Sequence, residues 1–135
     1  LPLLRGEPAN VPAQRFWQWN RYAPIGECNA AMRDGRWKLV LPAINELLRV
    51  SPADLRLDVL SKTQPELYTE LTRDPEPERP DFLPRTPQLF DLVADPQERN
   101  DLADAHPERV RHKQAERAAW FEDVEADRRG ILDTW

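Results

Sequence analysis

The pair Asp34-Gly35 constrains the fold more than any other feature, because it lies between two β-prone segments, 29–33 and 36–41. An aspartate followed by glycine favours positive φ angles and a tight two-residue turn between antiparallel strands. In the second segment alternate side chains are apolar and can share one face packed on a core: Trp37, Leu39 and Leu41, with Lys38 and Val40 on the other face. The sequence therefore predicts an antiparallel hairpin here.

Two more strands and a long helix are predicted on either side of this hairpin. Residues 15–19 are aromatic and β-prone, and residues 88–92 resume a strand pattern. A turn follows at Asp95-Pro96, and a helix is predicted from Pro107 to about residue 129. The apolar side of this helix is predicted to lie on the sheet, although Arg117 interrupts it. It consists of Val110, Ala118, Trp120, Phe121 and Val124. The expected fold class is α+β, a small antiparallel sheet packed against a long C-terminal helix.

Residues 42–87 form an insertion between the strands, helical in short pieces and repeatedly broken by proline. Ser51, Pro52 and Asp54 stand in the order that a helix start favours, with a capping hydroxyl, a first-turn proline and an acidic residue. The buried side of this helix is predicted to consist of Leu55, Val59 and Leu60. The stretch 73–80 has neither periodicity nor apolar content, which predicts an extended exposed linker.

Size and charge restrict the function. A chain of 135 residues suits one modest domain, and the abrupt start at Leu1 leads us to expect further chain upstream. The net charge of -5 argues against nucleic-acid binding, because phosphate recognition uses a basic surface. No apolar run approaches the length that crosses a bilayer.

Residue types that carry catalysis are sparse. Cys28 has no predicted activating neighbour and is interpreted as a partly buried free thiol. His106 and His112 are expected on different faces of a helix start, without an acidic or thiol partner at ligand spacing. Three acidic residues near the end of the last helix are interpreted as a solvated face: Asp123, Glu125 and Asp127. Within this face Glu125 is expected to pair with Arg129. The sequence thus predicts no catalytic residue and no metal site in this chain.

One segment, 15–22, combines aromatic rings with guanidinium and amide groups that can hold an anion or a sugar. Its alternation places Phe16 and Gln18 on one face and the tryptophans on the other, so that part of the segment can instead be a tryptophan core. The candidate ligand contacts lie at the end of the strand: Trp19, Asn20 and Arg21.

Three segments, taken in order, resemble the C-terminal part of type I sulfatases. They read N-A-A-M-R-D-G-R-W-K-L-V (29–40), L-F-D-L-V-A-D-P-Q-E-R-N-D-L-A (89–103) and H-P-E-R-V (106–110). In that family R-x-G-x-W-K-L is followed, after a variable insertion, by L-[YF]-D-L-x-x-D-P-x-E-x-x-N-L and a closing helix. Asp101 stands where the family usually has asparagine. The resemblance covers nearly the whole chain, with 42–87 matched only loosely.

The resemblance implies that residues 1–135 are the C-terminal subdomain of an arylsulfatase-like enzyme of the alkaline phosphatase superfamily. Its catalytic partner would be an upstream α/β domain of the same polypeptide, carrying calcium and a formylglycine made from the cysteine of C-x-[PA]-x-R. Cys28 does not match that motif, because Met32 stands where arginine is required. No cofactor is expected in this chain, and the parent is expected to act on a sulfated small molecule or sugar. The sequence does not give the compartment, although the resemblance is compatible with an exported parent.

In the family, loops of this subdomain help to wall the substrate cleft. Residues 19–21 would fit such a loop, and their types and position lead to the hypothesis that Trp19 stacks on a substrate ring and that Arg21 holds an anionic group. Two alternatives stay open: a stand-alone module that binds sulfated or anionic sugars, and the same region of a phosphonate or phosphate ester hydrolase. No nucleic-acid or membrane partner is expected in any of these cases.

Overall fold

A computed structural model of the protein describes residues 2–6, 13–68 and 78–132. Its centre is one antiparallel sheet in the order β1-β2-β3-β4, formed by Gln14–Gln18, Ala30–Asp34, Trp37–Leu41 and Gln88–Asp91. The helices are α1, Pro52–Thr63, and α2, Pro107–Leu132, with short 3-10 turns at Pro2–Arg5, Asn45–Leu48 and Pro65–Leu67. The predicted α+β class is confirmed. Within the described ranges, no helix combines the length and apolar character needed to cross a membrane.

The hairpin forms one residue later than predicted. Asp34 pairs with Trp37 across β2 and β3, so the two loop residues are Gly35 and Arg36. Gly35 has φ +56°, which glycine adopts without steric cost. Glycine at the first loop position also suits a tight hairpin turn. Asp34 is thereby released from the turn and becomes the last residue of β2.

The larger of two buried hydrophobic clusters lies between one face of the sheet and α2, and the smaller one joins Ile25 and Cys28 to Ile44 and Leu47. Met32, Leu39 and Leu89 are fully buried side by side on neighbouring strands. Phe16 of β1 stacks on Trp120 of α2, with ring centroids 4.9 Å apart and planes nearly parallel. The apolar faces of the hairpin and of the last helix therefore pack on each other.

Trp17 of β1 and Trp19, which follows that strand, lie on the opposite face from this core. The side chains of Trp17 and Trp19 are 50% and 63% exposed. The interpretation of these residues as core tryptophans is therefore wrong, and Phe16 takes the inward position. The register of β1 on β2 decides which side chains of β1 point to the core, because it pairs Phe16 with the buried Met32. The size of the aromatic side chains does not decide it.

The buried stripe of α2 also differs from the prediction. Ala118 is exposed and Val124 is 43% exposed, whereas Trp120 and Phe121 are half-buried and Val110 is buried, as expected. Three charged residues take the remaining inward positions: Lys113, Arg117 and Glu125. Each finds a polar partner, and these are Asp34, the carbonyl of Gly26 and Arg128, respectively. Two of these partners, Asp34 and Gly26, lie outside the helix, and the third, Arg128, lies on its next turn, so polar pairing decides this face instead of apolar periodicity.

The long segment between β3 and β4, called the excursion below, comprises residues 42–87. Its helix α1 starts as predicted: the Ser51 hydroxyl accepts a hydrogen bond from the Asp54 N–H at 3.0 Å, and Pro52 is the first helical residue. The predicted buried side of α1 is wrong, because Leu55, Val59 and Leu60 are 54%, 57% and 39% exposed. Of the predicted linker, residues 73–77 lie outside the described residues, and 78–80 have no regular structure.

Candidate functional site

The residues that carry the family resemblance meet where β3 and β4 lie side by side. The Arg36 guanidinium holds the Asp91 carboxylate through two hydrogen bonds, one of them Nε to Oδ1 at 2.9 Å. These bonds lower the pKa of Asp91, although burial opposes the shift. Lys38 Nζ pairs with the Glu98 carboxylate at 2.7 Å. The two motifs, distant in sequence, are thus joined by two separate ion pairs.

The other acidic residues of the second motif close the turns after β4. Asp95 accepts hydrogen bonds from the backbone N–H groups of Arg99 and Asn100. Asp101 Oδ1 accepts from the N–H groups of Leu89, at 3.0 Å, and Ala103, at 2.9 Å. These roles are structural. Since Asp101 uses a single acceptor oxygen, an asparagine amide could replace it here.

A cleft of about 310 Å³ lies between the loop after β1 and the excursion. Three arginines line it, namely Arg21, Arg49 and Arg79. Two acidic residues, Glu46 and Glu78, lie in the same wall. The cleft therefore mixes guanidinium donors with carboxylates, an arrangement that can bind a polar ligand carrying an anionic group.

Polar contacts to the excursion hold this loop in place. Tyr22 has φ +59°, a left-handed conformation, and its hydroxyl donates to Asp54 of α1 while accepting from the Ser51 N–H at 3.2 Å. The hydrogen bond from Tyr22, and next that from Ser51, lowers the pKa of Asp54. Arg79 donates to the carbonyl of Ala23. The loop and both sides of the excursion are thus joined around the cleft.

The structure places the three predicted ligand contacts in different roles. Arg21 is exposed in the cleft wall, and its guanidinium carbon lies 5.9 Å from the centre of the Trp19 ring, within cation–π range. Asn20 instead supports the loop, because its side-chain oxygen accepts from Gln18 and from the Ile25 N–H at 3.3 Å. Binding by Trp19 and Arg21 stays a prediction, and Asn20 reads as a loop-forming residue.

Cys28 and His106 are held by packing and hydrogen-bond contacts that give them structural roles. Cys28 is fully buried, more so than expected; its sulfur accepts from the Asn29 amide at 3.4 Å, and burial raises the pKa of the thiol, which suppresses the nucleophilic thiolate. The ring of His106 packs edge-on against Trp37, at 5.4 Å. Among residues 2–6, 13–68 and 78–132, no cluster of three histidine, cysteine or acidic side chains could hold a metal ion.

The carboxylates near the end of α2 divide into two kinds. Asp123 and Asp127 are exposed, as a solvated face requires, but Glu125 is only 3% exposed, so for Glu125 that interpretation is wrong. The predicted pair with Arg129 is present at 3.8 Å, and a closer one with Arg128 at 2.9 Å lowers the pKa of Glu125. This cluster stabilises the helix end and offers no acid–base pair.

Sequence reasoning missed most of the cleft. Arg49 and Arg79 belong to the excursion, where proline-broken patterns indicated only helical pieces and a linker. A basic residue in such a segment carries no local sign of its partner, so no sequence signal pointed to them. Neither a protein-family model nor a curated protein matches the chain.

Proposed function

We propose that this chain is the non-catalytic C-terminal subdomain of a sulfatase, a sulfuric ester hydrolase, and that it completes the fold and helps to wall the substrate pocket. One observation carries the proposal. The two sequence motifs that resemble the family come together as β3 and β4, joined by the pairs Arg36–Asp91 and Lys38–Glu98. The residues on which the resemblance depends therefore contact one another in the fold, as one structural unit would require.

The cleft supplies the proposed contribution to substrate binding. Arg21 presents a planar fork of N–H donors, which suits the oxygens of a sulfate ester, and Trp19 beside it offers a ring face for stacking. The hydrolytic groups themselves, formylglycine and calcium, belong in this proposal to an upstream catalytic domain. The chain described here binds and orients, and it moves no proton in the reaction.

The first test is to read the coding DNA upstream of Leu1 in the same frame. The proposal expects several hundred further residues with C-x-[PA]-x-R and an acidic metal cluster. A start codon directly before Leu1 would contradict it. A nucleophile motif other than C-x-[PA]-x-R upstream would favour the alternative of a phosphate ester hydrolase.

A second test measures the role of Arg21 in the full-length enzyme with an aryl sulfate. Arg21→Ala is expected to raise KM about tenfold, because a charge-assisted hydrogen bond to the substrate is lost. Arg56→Ala is the matched control, since Arg56 is an exposed arginine of α1 outside the cleft wall. Equal kinetics for the two variants would remove Arg21 from the substrate pocket.

The alternative of a stand-alone module for sulfated sugars has one observation in its favour. Residues of this chain alone form the arginine-lined cleft. This alternative expects the isolated chain to bind a sulfated oligosaccharide saturably, with Arg21→Ala weakening the binding. Calorimetry on the isolated chain, together with the upstream reading frame, distinguishes it from the sulfatase subdomain.

A further inference from the structure

Helix α2 buries three charged side chains, and they are compensated unequally. Lys113 Nζ lies 3.0 Å from the Asp34 carboxylate, and the Glu125 carboxylate lies 2.9 Å from Arg128 Nε. Arg117 is as buried as these two, at 2% exposure. Within the described ranges it forms no ion pair with a carboxylate. The positive charge of Arg117 thus stands apart from the other buried charges of the helix.

The contacts of Arg117 leave most of its donors unused. One nitrogen, Nη1, donates to the carbonyl of Gly26, and the guanidinium lies 4.8 Å from the centre of the Phe121 ring. Nε and Nη2 are buried and have no hydrogen-bond partner in the part of the chain that the structure describes. Burial lowers the pKa of Arg117, which is the electrostatic sign of a charge short of compensation. Leaving buried charged donors unmatched is costly for a fold.

A cavity of about 290 Å³ borders this side chain. Two other walls carry donors: the exposed Arg85, from the segment before β4, and the half-buried Gln114, one turn earlier on α2. Apolar walls come from Leu41 and the prolines that flank Arg85. Residues that carry two guanidinium groups and an amide thus line a space large enough for a small ion.

We propose that this cavity, called the Arg117 cavity, binds a small free oxyanion of the phosphate or sulfate type between Arg117, Arg85 and Gln114. Such an ion supplies the negative charge that Arg117 lacks and acceptors for guanidinium N–H groups, whose planar fork matches tetrahedral oxyanions. The Gln114 amide adds a neutral donor. The site is separate from the Arg21 cleft and does not depend on the proposed sulfatase function.

The negative charge of Glu27 would repel the proposed oxyanion, and a variant of Glu27 therefore tests the proposal. It lies in the wall of the Arg117 cavity and is exposed. Its charge raises the pKa of Arg117, so the two groups interact electrostatically, yet they form no ion pair in the structure. Removing this carboxylate would strengthen the binding of an oxyanion. If Glu27 instead turns inward in solution and serves Arg117 itself, the same removal would destabilise the chain.

The experiment is titration calorimetry of the purified chain with inorganic phosphate, repeated with sulfate, at constant ionic strength maintained with chloride. The proposal expects saturable binding with one ion per chain. Arg85→Ala should weaken binding about tenfold through the loss of one charge-assisted contact. Glu27→Gln should tighten it several-fold through the loss of a like charge. Arg56→Ala, on the exposed surface of α1, should leave it unchanged.

Three results would overturn the proposal. The first is an absence of saturable binding heat. Equal effects of Arg85→Ala and Arg56→Ala on binding would count in the same way, because they would indicate non-specific screening. The second is a lower urea midpoint of Glu27→Gln without tighter binding, which would identify Glu27 as the partner of Arg117. The third is a loss of binding in Arg21→Ala while Arg85→Ala binds normally, which would place the ion in the Arg21 cleft. None of these variants removes a core residue, so each is expected to fold.

Discussion

The sheet with α2 is stabilised differently from helix α1 of the excursion, although the start of the excursion buries Ile44 and Leu47. Met32, Leu39 and Leu89 are fully buried in the sheet, where removal from water supplies most of the stabilisation. In the excursion, α1 has no buried residue, and Leu55 and Val59 are more than half exposed. A helix of 12 residues is marginal in water without packing. Polar contacts must therefore hold α1 in place.

The contrast matters because the Arg21 cleft lies on the boundary between the two regions. One wall is the loop after β1, and the facing walls belong to the excursion. Tyr22 and Arg79 provide the cross-links, through Asp54 and the Ala23 carbonyl. Ser51, which caps α1, lines the cleft, so part of the cleft wall belongs to an element without buried residues, and ligand-binding regions commonly include such elements of low local stability.

The largest effect is expected from truncation inside the sheet. Leu39→Ala should lower the free energy of unfolding by about 3 kcal/mol, because it leaves a cavity among fully buried neighbours. Leu55→Ala, the matched change on α1, should cost less than about 0.5 kcal/mol. Urea unfolding measures both. Similar losses of unfolding free energy in the two variants would show that α1 is packed in solution and would contradict the difference between the two regions.

The next largest difference between the two regions is expected in the dependence of stability on pH. The pKa values of Asp91, in the sheet, and Asp54, in α1, lie below the ordinary 3.8 because Arg36 and Tyr22 donate to them. A carboxyl group with a lowered folded-state pKa stabilises the fold fully above 3.8, and that stabilisation is lost as pH falls through the folded-state value.

Urea midpoints measured between about pH 6 and pH 2.5 test this assignment. Asp91→Asn is expected to lower the midpoint at neutral pH and to flatten its decline in acid. Asp54→Asn should leave the global profile almost unchanged, because its partners belong to the cleft boundary. The reverse ranking would mean that the boundary, and not the sheet, limits stability in acid.

A smaller and local effect is expected at the start of α1. Ser51→Ala removes the side chain that caps the Asp54 N–H, at a cost of about 1 kcal/mol to the helix. Because α1 can open without the sheet, amide hydrogen exchange should accelerate in α1 and stay constant in β2 and β3. Acceleration throughout the chain would instead join both regions in one cooperative unit.

The smallest effect is expected at the position where the chain departs from the family pattern. Asp101→Asn keeps the acceptor oxygen used by the Leu89 and Ala103 N–H groups, so stability should change by less than about 0.5 kcal/mol. Asp101→Ala, which removes that oxygen, should cost about 1 kcal/mol or more. Equal thermal midpoints for these two variants would contradict the structural role assigned to Asp101.

Local patterns anticipated the elements well and their orientation less well. The Ser51 cap, the strand at 88–91 and the helix start at Pro107 occur where predicted, because capping and turn preferences act over a few residues. Alternation along β1 showed which side chains share a face, but not which face turns inward. Register on the neighbouring strand decides that, so the alternative of a tryptophan core was wrong, whereas Trp19 is exposed as a ligand contact requires.

The sequence by itself determined the α+β class, the order of strands and helices, and the motifs that meet on β3 and β4. Each of these depends on propensities and spacings within a short window. Only the tertiary structure decided that Arg21, Arg49 and Arg79 share one cleft and that Arg117 is buried beside a cavity. Those placements depend on partners far along the chain. A charged side chain carries no local mark of whether it will face water, a carboxylate or an unfilled space.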